Sequence, residues 1–387
     1  MPVVEQLVEF VRDHYRTTDF VPLHAPVFRG NEKAYVVETI DSTFVSSVGA
    51  FVDRFEKDMA AYTGSSRAVA TVNGTAALHV ALRLVGVGQG DYVITQPLTF
   101  VATCNAIAYC GAEPIFIDVD RHTLGLSPTA LEAWLSEHAY RDDAGQCRRR
   151  EDNRVIRACL PMHTFGHPVD VDGLLRVCHD WKLFMVEDAA ESLGSTYRGQ
   201  HTGTFGDIGT LSFNGNKIIT TGGGGMILCD EEAGKRAKHL TTTAKRPHTY
   251  EYVHDELAYN YRLPNLNAAL GCAQLEQLDA YIADKRQLAA SYAACLDGSE
   301  YNFFTEPEGC RSNYWLNAVI CSDLSQRDQL LQITNERGIM TRPIWQLMNR
   351  LPMYSNAPSG ELPNALWLEA RVVNLPSSIR AHHAGEA

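Results

Sequence analysis

The residues best suited to chemistry in this sequence lie between Ser212 and Gly225, which read S-F-N-G-N-K-I-I-T-T-G-G-G-G, with Lys217 near the middle. A lysine amine forms a Schiff base with a carbonyl when desolvation or a neighbouring cation leaves the amine unprotonated. The four glycines from Gly222 onward allow positive φ and a close approach of the backbone to a ligand. A lone lysine before a glycine run is more often a surface residue beside a flexible loop, so this motif alone does not indicate a site.

A second feature lies upstream, where residues 182–188 read K-L-F-M-V-E-D. The pattern is that of a buried strand with acids at its carboxyl end, the edge at which open α/β sheets bind their ligands. Asp188 precedes Lys217 by 29 residues. A carboxylate and a lysine in this order are the two fixed points of a pyridoxal phosphate (PLP) site, since the acid keeps the pyridine nitrogen protonated and the lysine holds the aldehyde.

The composition is that of a globular enzyme, with 387 residues of which 45% are hydrophobic and 21% charged. The formal net charge of −12 argues against a nucleic-acid partner. Ten cysteines occur without a C-x-x-C pair or clustered His/Cys spacing, so we expect reduced thiols and no metal site. Because we find neither a secretion signal nor a run of about 18 apolar residues, we expect a cytoplasmic protein with no membrane partner.

Strand and helix patterns alternate through the middle of the chain, which predicts an α/β fold with a largely parallel, doubly wound sheet. Between the last two strands only the Lys217 loop and the glycines intervene, too few residues for a parallel crossover, so we expect the seventh strand to run antiparallel. The predicted strands are Ala68–Val72, Asp91–Thr95, Pro114–Val119, Val155–Met162, Lys182–Val186, Gly209–Phe213 and Gly225–Cys229. The predicted helices between them are Thr75–Val85, Thr103–Tyr109, Thr129–His138 and Val171–Trp181.

The flanking segments predict a second, smaller unit. We place the large domain at residues 30–255 and form the smaller one from residues 1–29 and 256–387, linked by a long helical pattern over residues 265–296. Residues 32–62 predict two helices with a break at residues 46–49, and residues 231–260 are polar and mixed. The arginines at 148–150 lie among acids and predict a solvated, charge-balanced loop. In the smaller unit we expect a strand over Tyr314–Val319, a helix over Gln326–Glu336 and a loop over Arg342–Tyr354.

Further polar and aromatic residues follow the predicted strands, where a PLP site needs them. The segment T-V-N-G-T ending at Thr75 closes a strand and opens a helix, whose N-terminal N–H groups suit a phosphate. Ser212 offers a second hydroxyl, and Phe100 in P-L-T-F lies where it can stack on a pyridine ring. Asn260, in Y-N-Y-R, precedes the long helical pattern and is either a flanking polar residue or a ligand contact. Each of these alone has an ordinary structural explanation, and only their joint order is specific.

The segments T-V-N-G-T, P-L-T-F-V-A-T, H-T-F-G-H-P-V-D, V-E-D-A-A-E-S, G-D-I-G-T-L-S-F-N-G-N-K and Y-N-Y-R-L-P-N-L together resemble the DegT/DnrJ/EryC1/StrS aminotransferases. The resemblance runs from about Val21 to about Tyr354 and implies an aspartate-aminotransferase-like fold of PLP fold type I, with a seven-stranded, mostly parallel sheet and a smaller C-terminal α+β domain. It implies that Lys217 binds the PLP aldehyde as an imine and that Asp188 pairs with the pyridinium nitrogen. It also implies that Phe100 stacks on the cofactor ring and that Glu191 lies near the 3′-oxygen. The phosphate would be held by Gly74, Thr75 and Ser212, and by Asn260 from the second subunit of a homodimer. Members of the family often carry glutamine where this chain has Glu191.

The same resemblance implies that an amino group moves from L-glutamate to a keto sugar on a nucleotide. D-S-T-F-V-S-S-V-G and the Lys217 segment look most like enzymes that aminate C4 of UDP-linked 2-acetamido-2,6-dideoxy-4-hexulose, on the routes to bacillosamine and legionaminic acid. Substrate contacts would come from Ser46, Ser47, Gly49, His163, Trp345 and Gln346. Both His163 and His167 follow the fourth predicted strand, and a structural histidine is the more common explanation for each.

Other interpretations remain open beside this one. One is amination at C3 of a dTDP-linked 3-keto sugar, and another is a non-catalytic PLP-binding regulatory protein. Sugar dehydratases of the same family carry histidine at the lysine position, so Lys217 argues against that activity. A dinucleotide-binding loop is disfavoured because the glycine run lacks G-x-G-x-x-G spacing and no helix pattern follows it.

Overall fold

The computed structural model describes residues 3–380. Its helices are α1 Val3–Tyr15, α2 Glu32–Asp41, α3 Ala50–Thr63, α4 Gly74–Leu84, α5 Val101–Tyr109, α6 Pro128–His138, α7 Val171–Trp181, α8 Glu231–Thr241, α9 Asn265–Leu275, α10 Leu278–Leu296, α11 Leu324–Glu336 and α12 Pro363–Glu369. Its strands are β1 Arg67–Thr71, β2 Tyr92–Thr95, β3 Glu113–Phe116, β4 Ala139–Arg141, β5 Cys147–Arg149, β6 Ile156–Leu160, β7 Phe184–Asp188, β8 Thr196–Tyr197, β9 Gln200–His201, β10 Ile208–Ser212, β11 Gly225–Cys229, β12 Lys245–Arg246, β13 Val253–His254, β14 Asn302–Phe303, β15 Cys310–Arg311, β16 Asn317–Ile320, β17 Arg342–Pro343 and β18 Val372–Leu375.

The central sheet has the strand order β1-β11-β10-β7-β6-β2-β3 over the described residues. Neighbouring strands from β10 to β3 are parallel, whereas β11 runs antiparallel to both β1 and β10. The predicted sheet and the predicted reversal of its seventh strand are therefore confirmed. Since β1, β10, β7, β6 and β2 run in the same direction, their carboxyl ends meet at one edge, and the segments that follow these strands are brought together there.

Both faces of the central sheet are buried, which is why its strands read as continuous apolar runs rather than alternating ones. On one face Val69, Val93 and Val186 pack with α4, α5 and α8. On the other face the strands from β2 to β7 pack against α6 and α7, while β1, β10 and β11 pack against α3 and α9. Helices thus cover the sheet on both sides and leave the carboxyl edge free to form a cavity.

The C-terminal part forms a second sheet of strand order β14-β16-β18-β17. Helix α1 packs beside this sheet, with Val4 and Leu7 in the same apolar cluster as Leu288 of α10. The predicted strand over Tyr314–Val319 begins only at Asn317, because Tyr314 has a left-handed backbone (φ 46) that a strand does not accommodate.

The helical pattern over residues 265–296 predicts one helix, but the structure has two. Helix α9 ends at Leu275 and α10 begins at Leu278, with Gln277 acting as the N-terminal flank of α10. Glu276 at the break accepts hydrogen bonds from Asn31, Tyr35 and Arg54. The continuous apolar periodicity therefore reflects two helices that share a buried face, and the break is fixed by contacts to α2 and α3 that the pattern does not contain.

Two other predictions differ from the structure. Residues 231–241 form α8, in which Asp230 caps the first turn by accepting a hydrogen bond from the Ala233 N–H at 2.7 Å. The acids in its first turn and the bases in its last turn are helix signals. The prediction of a polar, mixed segment over residues 231–260 did not take them into account. The arginines at 148–150 lie in and beside β5, which pairs with β4 as a hairpin. They are charge-balanced as predicted, with Arg148 paired to Asp142.

Within residues 3–380, no helix combines the length and the apolar character that a bilayer crossing requires.

Glycine at position 209, in the middle of β10, is a packing requirement. A Cβ there would overlap the backbone oxygen of Gly203, which belongs to the loop before the strand. We expect Gly209→Ala to lower the free energy of unfolding by about 1–3 kcal/mol, the usual cost of overpacking. The urea midpoint measures this, with Gly88→Ala as the control, because a Cβ at Gly88 meets only the Arg83 side chain at 3.5 Å. Equal midpoints for the two variants would contradict the packing argument.

Candidate active site

A cavity of about 400 Å³ opens at the carboxyl edge of the central sheet. The segments that follow β1, β2, β6, β7 and β10 all reach it, as does the C-terminal part of the chain. Of the predicted site residues, those that line the cavity are Gly74, Thr75, Phe100, Asp188, Glu191, Ser212, Lys217 and Trp345. Other wall residues, which sequence reasoning did not single out, are Asn73, Leu78, Ala102, Met162, Ala190, Asn214, Asn216, Gly224 and Trp315.

Asp188 ends β7 at the floor of the cavity and is 3% exposed. Its Oδ2 accepts a hydrogen bond from the Thr103 hydroxyl at 2.8 Å, and its Oδ1 accepts one from the Ala190 N–H at 3.2 Å. Burial raises the pKa of the Asp188 carboxyl, while these hydrogen bonds and the nearby Lys217 charge oppose the rise. A buried carboxylate of this kind gains from a cationic partner, and a protonated pyridine nitrogen is such a partner.

Thr103 is a functional position that sequence reasoning did not single out, although it lies in the quoted motif P-L-T-F-V-A-T. It lies in the first turn of α5 and is fully buried. Its hydroxyl also contacts the Thr99 hydroxyl at 2.8 Å. The second threonine of that motif therefore orients the Asp188 carboxylate, and the available signal was a threonine at the start of the helix that follows β2.

Lys217 reaches the cavity from the loop between β10 and β11, with its side chain 12% exposed. Its Nζ donates a hydrogen bond to Glu191 Oε1 at 3.1 Å and lies 3.9 Å from the centre of the Trp315 ring. Trp315 is separated from Lys217 by almost a hundred residues in sequence, so no local pattern links them. A primary amine inside a largely enclosed, aromatic-lined cavity is suited to attack a carbonyl.

Glu191 is buried on the wall between Asp188 and Lys217. Its Oε2 accepts a hydrogen bond from the Phe165 N–H at 2.9 Å, and Phe165 has a left-handed backbone (φ 57) to present that N–H. Such a conformation costs a non-glycine residue on the order of 1–3 kcal/mol. Burial raises the pKa of the Glu191 carboxyl to about 7, with the Lys217 charge and the Phe165 hydrogen bond opposing the rise.

The far end of the cavity is formed by the N-terminus of α4. Asn73 caps this helix by accepting a hydrogen bond from the Ala76 N–H at 2.8 Å. A Cβ on Gly74 would lie 2.8 Å from Ser212 Cβ, so the helix start and the end of β10 approach closely only because Gly74 lacks a side chain. The first N–H groups of a helix have no intrahelical partner and favour an anion. Together with the Thr75 and Ser212 hydroxyls, this cradle fits a phosphate.

Aromatic side chains form the mouth of the cavity. Phe100 is 49% exposed, and its ring centroid lies 6.5 Å from that of Trp345. Trp345 packs in turn on Phe165, with ring centroids 5.1 Å apart. The exposed Phe100 face is where a planar ring can stack. The carboxylate, lysine, phosphate cradle and stacking face therefore fit one PLP molecule.

Several predicted site residues do not line this cavity. Ser46 and Gly49 lie in the loop between α2 and α3, where the Ser46 carbonyl accepts a hydrogen bond from the Asn265 N–H at 2.6 Å. Asn260 is exposed, and its Oδ1 accepts hydrogen bonds from the Arg262 guanidinium at 3.0 and 3.1 Å. Gln346, beside Trp345, is also exposed, whereas Ser47, beside Ser46, is half-buried. In the described chain none of these residues is among those that line the cavity around Lys217.

The two histidines after β6 are fully buried, and neither is among the cavity-lining residues. His163 Nε2 lies 2.9 Å from Glu187 Oε2, and its Nδ1 accepts a hydrogen bond from the Val169 N–H at 3.2 Å. His167 packs edge-on against Phe304 and Tyr314, and burial lowers the pKa of its imidazole to about 3. The structure therefore places His163 as a packed partner of Glu187, not in the position that the resemblance implied.

Comparison with known proteins identifies the family of this chain. Residues 26–384 match the DegT/DnrJ/EryC1/StrS aminotransferase family. This chain belongs to that family. It is accordingly an aminotransferase of the α/β PLP fold type I, and its cofactor is PLP. The predicted fold, enzyme class and cofactor are thereby confirmed.

Relatives in this family share most of their length with the chain. It is 36% identical to GDP-perosamine synthase from Escherichia coli O157:H7, over 92% of this chain and 93% of the relative. It is also 36% identical to GDP-perosamine synthase from Caulobacter vibrioides, over 94% of each protein. The putative pyridoxal phosphate-dependent aminotransferase EpsN from Bacillus subtilis is 37% identical, over 87% of this chain and 84% of the relative. Among solved structures, the aminotransferase TlmJ from Streptoalloteichus hindustanus superposes with a TM-score of 0.83 at 27% identity, over 92% of this chain and 93% of that one.

The hydrogen bond between Thr103 and Asp188 leads to a prediction about cofactor binding. Thr103→Val removes the hydroxyl and keeps the shape, so the Asp188 carboxylate loses a hydrogen bond to a charged group, worth about 1.5–3 kcal/mol. We expect PLP affinity, measured by absorbance titration of the cofactor-free protein, to fall roughly tenfold to a hundredfold. Thr103→Ser restores the hydroxyl and should recover most of the affinity. A valine variant that binds PLP like the unaltered protein would show that Thr103 does not orient Asp188.

Proposed function

We propose that this aminotransferase moves the amino group of L-glutamate to C4 of a nucleotide-linked 4-keto-6-deoxy sugar, and that the nucleotide is GDP. The observation that carries the chemistry is the single cavity shared by Lys217, Asp188 and the N-terminus of α4. The GDP assignment is supported by two relatives named GDP-perosamine synthase, each aligned over more than nine-tenths of this chain.

The residues that would hold PLP follow from the geometry of the cavity. Asp188 would hold the pyridine nitrogen, Lys217 the aldehyde, and the cradle at Gly74 the phosphate. The bound cofactor supplies an electron sink for the carbanion formed when the amino donor loses its Cα proton. Lys217 is the group placed to take up that proton and return it at the neighbouring carbon. Proton transfer by a positioned base contributes typically ~10²–10⁴-fold to the rate.

The size of the cavity bears on how the acceptor would bind. At about 400 Å³ the cavity is at the low end of ligand pockets. In the proposed binding mode PLP and the sugar ring occupy the cavity, and the nucleoside diphosphate lies outside it, past Phe100 and Trp345. Trp345 would then contact the sugar or its diphosphate, and Gln346, next to it in sequence, is exposed.

The sequence motifs favour UDP rather than GDP as the nucleotide, and the UDP-linked sugar is therefore the second candidate acceptor. Residues 41–49 and the Lys217 segment resemble enzymes acting on UDP-linked 2-acetamido-2,6-dideoxy-4-hexulose. Two relatives aligned over more than nine-tenths of this chain, however, are GDP-perosamine synthases. We therefore place the GDP-linked sugar first and the UDP-linked sugar second, with a dTDP-linked 3-keto sugar as a further alternative.

A substrate panel tests the acceptor. The protein with PLP and L-glutamate is offered GDP-linked 4-keto-6-deoxyhexose, UDP-linked 2-acetamido-4-hexulose and a dTDP-linked 3-keto sugar, and amino-sugar products are quantified by mass spectrometry. We expect kcat/KM for the GDP-linked sugar to exceed the others at least about tenfold, which is 1.4 kcal/mol of transition-state binding. Lys217→Ala, the control, should form no product with any acceptor. A higher value for the UDP-linked sugar would reject GDP, and turnover by Lys217→Ala would reject the mechanism.

We further propose that the working unit is a homodimer with shared sites. Exposed apolar residues on α2 and in the loop after it include Val37 at 53%, Phe44 at 60% and Val48 at 71%. In the segment before Asn260, Tyr250, Tyr252 and Leu257 are 81–88% exposed. Large apolar side chains exposed together mark an interaction surface. Asn260, Ser46 and Ser47 reach an active site only if they face the cavity of a second copy.

Subunit mixing tests this arrangement. Lys217→Ala and Asn260→Ala subunits, each inactive or impaired alone, are mixed under conditions that permit exchange. If Asn260 acts across the interface, each mixed dimer carries one site with both residues intact, so random pairing should restore about a quarter of the normal activity. Mixing Lys217→Ala with Asp188→Asn is the control and should restore none, because these residues lie in one chain's cavity. No recovery with Asn260→Ala, or an active monomer, would contradict shared sites.

A further inference from the structure

The amine of Lys217 is held from two sides by groups that favour positive charge. Glu191 Oε1 lies 3.1 Å from Lys217 Nζ, and the face of the Trp315 ring lies 3.9 Å from it. A carboxylate and an indole face both attract an ammonium, and each interaction strengthens where water is excluded. The Glu191 side chain is 1% exposed and the Lys217 side chain 12% exposed. An ammonium at Lys217 therefore has two favourable contacts in a poorly hydrated position.

The carboxylate of Glu191 is fixed in this orientation. Its second oxygen accepts the Phe165 N–H at 2.9 Å, so rotation away from Lys217 would leave that N–H without its partner. The Glu191 backbone is held as well, because the Asn313 side-chain amide donates to the Glu191 carbonyl at 2.9 Å. Glu191 Oε1 is thus held within hydrogen-bonding distance of Lys217 Nζ.

The ring of Trp315 is fixed to the same degree. Its Nε1 donates a hydrogen bond to the carbonyl of Asn216, the residue before Lys217, at 2.7 Å. Its N–H donates to Asn313 Oδ1 at 2.8 Å, and its carbonyl accepts a hydrogen bond from the buried Lys285 amine at 3.0 Å. Asn313 therefore binds the backbones of both Glu191 and Trp315, so a single side chain sets the spacing of the two groups around the amine.

We propose that Glu191 and Trp315 form a clamp for the ammonium form of Lys217, which exists while the lysine carries a proton during amino-group transfer. In each half of the transfer a C–H bond of the bound adduct breaks as an N–H bond forms at Lys217, and the proton leaves Lys217 when a new C–H bond forms at the neighbouring carbon of the same adduct. The clamp stabilises the lysine between these two transfers. The proposal rests on the proposed function, and it assigns a catalytic role to Glu191 that an amide at this position would not supply.

The charge of Glu191 makes the clamp dependent on pH. Titratable groups that face this carboxyl are Lys217, from the loop after β10, and Asp188, at the end of β7. Because burial raises the pKa of Glu191 to about 7, the carboxylate is present above that pH and is protonated below it. The contribution of Glu191 should therefore be full at alkaline pH and be lost as the pH falls through about 7.

The test measures the amine directly in the cofactor-free protein. Lys217 is acylated at a series of pH values, and the modified peptide is quantified by mass spectrometry to give the pH midpoint of labelling. In Glu191→Gln, which keeps an acceptor for the Phe165 N–H, we expect the midpoint to fall by at least about one pH unit, a tenfold change in the free amine. Trp315→Phe keeps a weaker aromatic face and should shift the midpoint less, in the same direction.

A matched control exists elsewhere in the chain. Glu56 Oε1 also accepts one backbone N–H, from Ala70 at 2.8 Å, and one lysine amine, from Lys238 at 2.6 Å. Glu56→Gln thus removes a comparable lysine–carboxylate pair outside the cavity and should leave Lys217 labelling unchanged. Melting temperatures of all variants report whether each remains folded.

With PLP bound, we expect loss of the clamp to change kcat and its dependence on pH. Glu191→Gln should lower kcat at pH 8 about tenfold or more and should lack the fall in kcat below about pH 7 that we expect of the unaltered enzyme. An unchanged or higher labelling midpoint in Glu191→Gln would overturn the proposal. If that variant does not fold, an unchanged midpoint in Trp315→Phe would overturn it equally. Labelling uses no substrate, so its result is independent of whether the acceptor panel supports the proposed function.

Discussion

The arrangement of the site depends on one buried carboxylate, that of Glu187. Its side chain is fully buried, and it accepts hydrogen bonds from His163 Nε2 at 2.9 Å and from the N–H groups of Gly203, Phe205 and Gly206 at 2.7–2.8 Å. Burial alone would raise the pKa of this carboxyl, but its donors outweigh burial, and the pKa is lowered. An ionised group in the interior is tolerated only when its acceptors are filled in this way. Glu187 therefore locks β7 to the segment after β6 and to the loop before β10.

Asp188 and Glu191 follow directly from that anchored strand, so Glu187 sets the positions of two groups that face the cavity. The Asp188 carbonyl accepts the His163 N–H at 3.1 Å, and its N–H donates to the Pro161 carbonyl at 2.9 Å. The chain then turns so that Glu191 reaches the Phe165 N–H. Electrostatic preorganisation of this kind requires side chains that cannot relax when charge changes. The buried His163–Glu187 pair contributes by rigidity, without contact with the cavity.

Much of the fold follows from patterns within single segments. The seven strands of the central sheet carry apolar runs bounded by turn residues, and the short connection through Lys217 to Gly225 forces the last strand to reverse. Two features of the fold were not predicted, helix α8 and the break between α9 and α10, because the apolar pattern of each segment does not contain the contacts that fix them. Helix α8 is short of apolar residues but well capped by Asp230, whereas the break at Glu276 is fixed by partners on α2 and α3.

In the candidate site, too, some residues were recognisable from the sequence and others were not. Lys217, Asp188 and the phosphate cradle at Gly74 were recognisable because each follows a strand end and because their order along the chain is specific. Thr103 and Trp315 were not singled out, since their relation to Asp188 and Lys217 exists only after folding. For Trp315 the signal is wholly tertiary: Tyr314 before it has a left-handed backbone, and the ring Nε1 donates to the backbone carbonyl of Asn216 in the Lys217 loop.

The fold fixes the proposed proton-handling groups and the proposed acceptor region in different ways. Asp188 ends β7 and Lys217 lies in the loop after β10, so both are held within one chain. Under the proposed function the nucleotide would lie beyond Phe100 and Trp345, next to exposed residues such as Gln346. Discrimination by a nucleobase requires buried hydrogen-bonding groups that are left unpaired by the wrong base. In the proposed dimer such groups would come from the second copy of the chain, whereas Lys217 and Asp188 lie in the cavity of one chain.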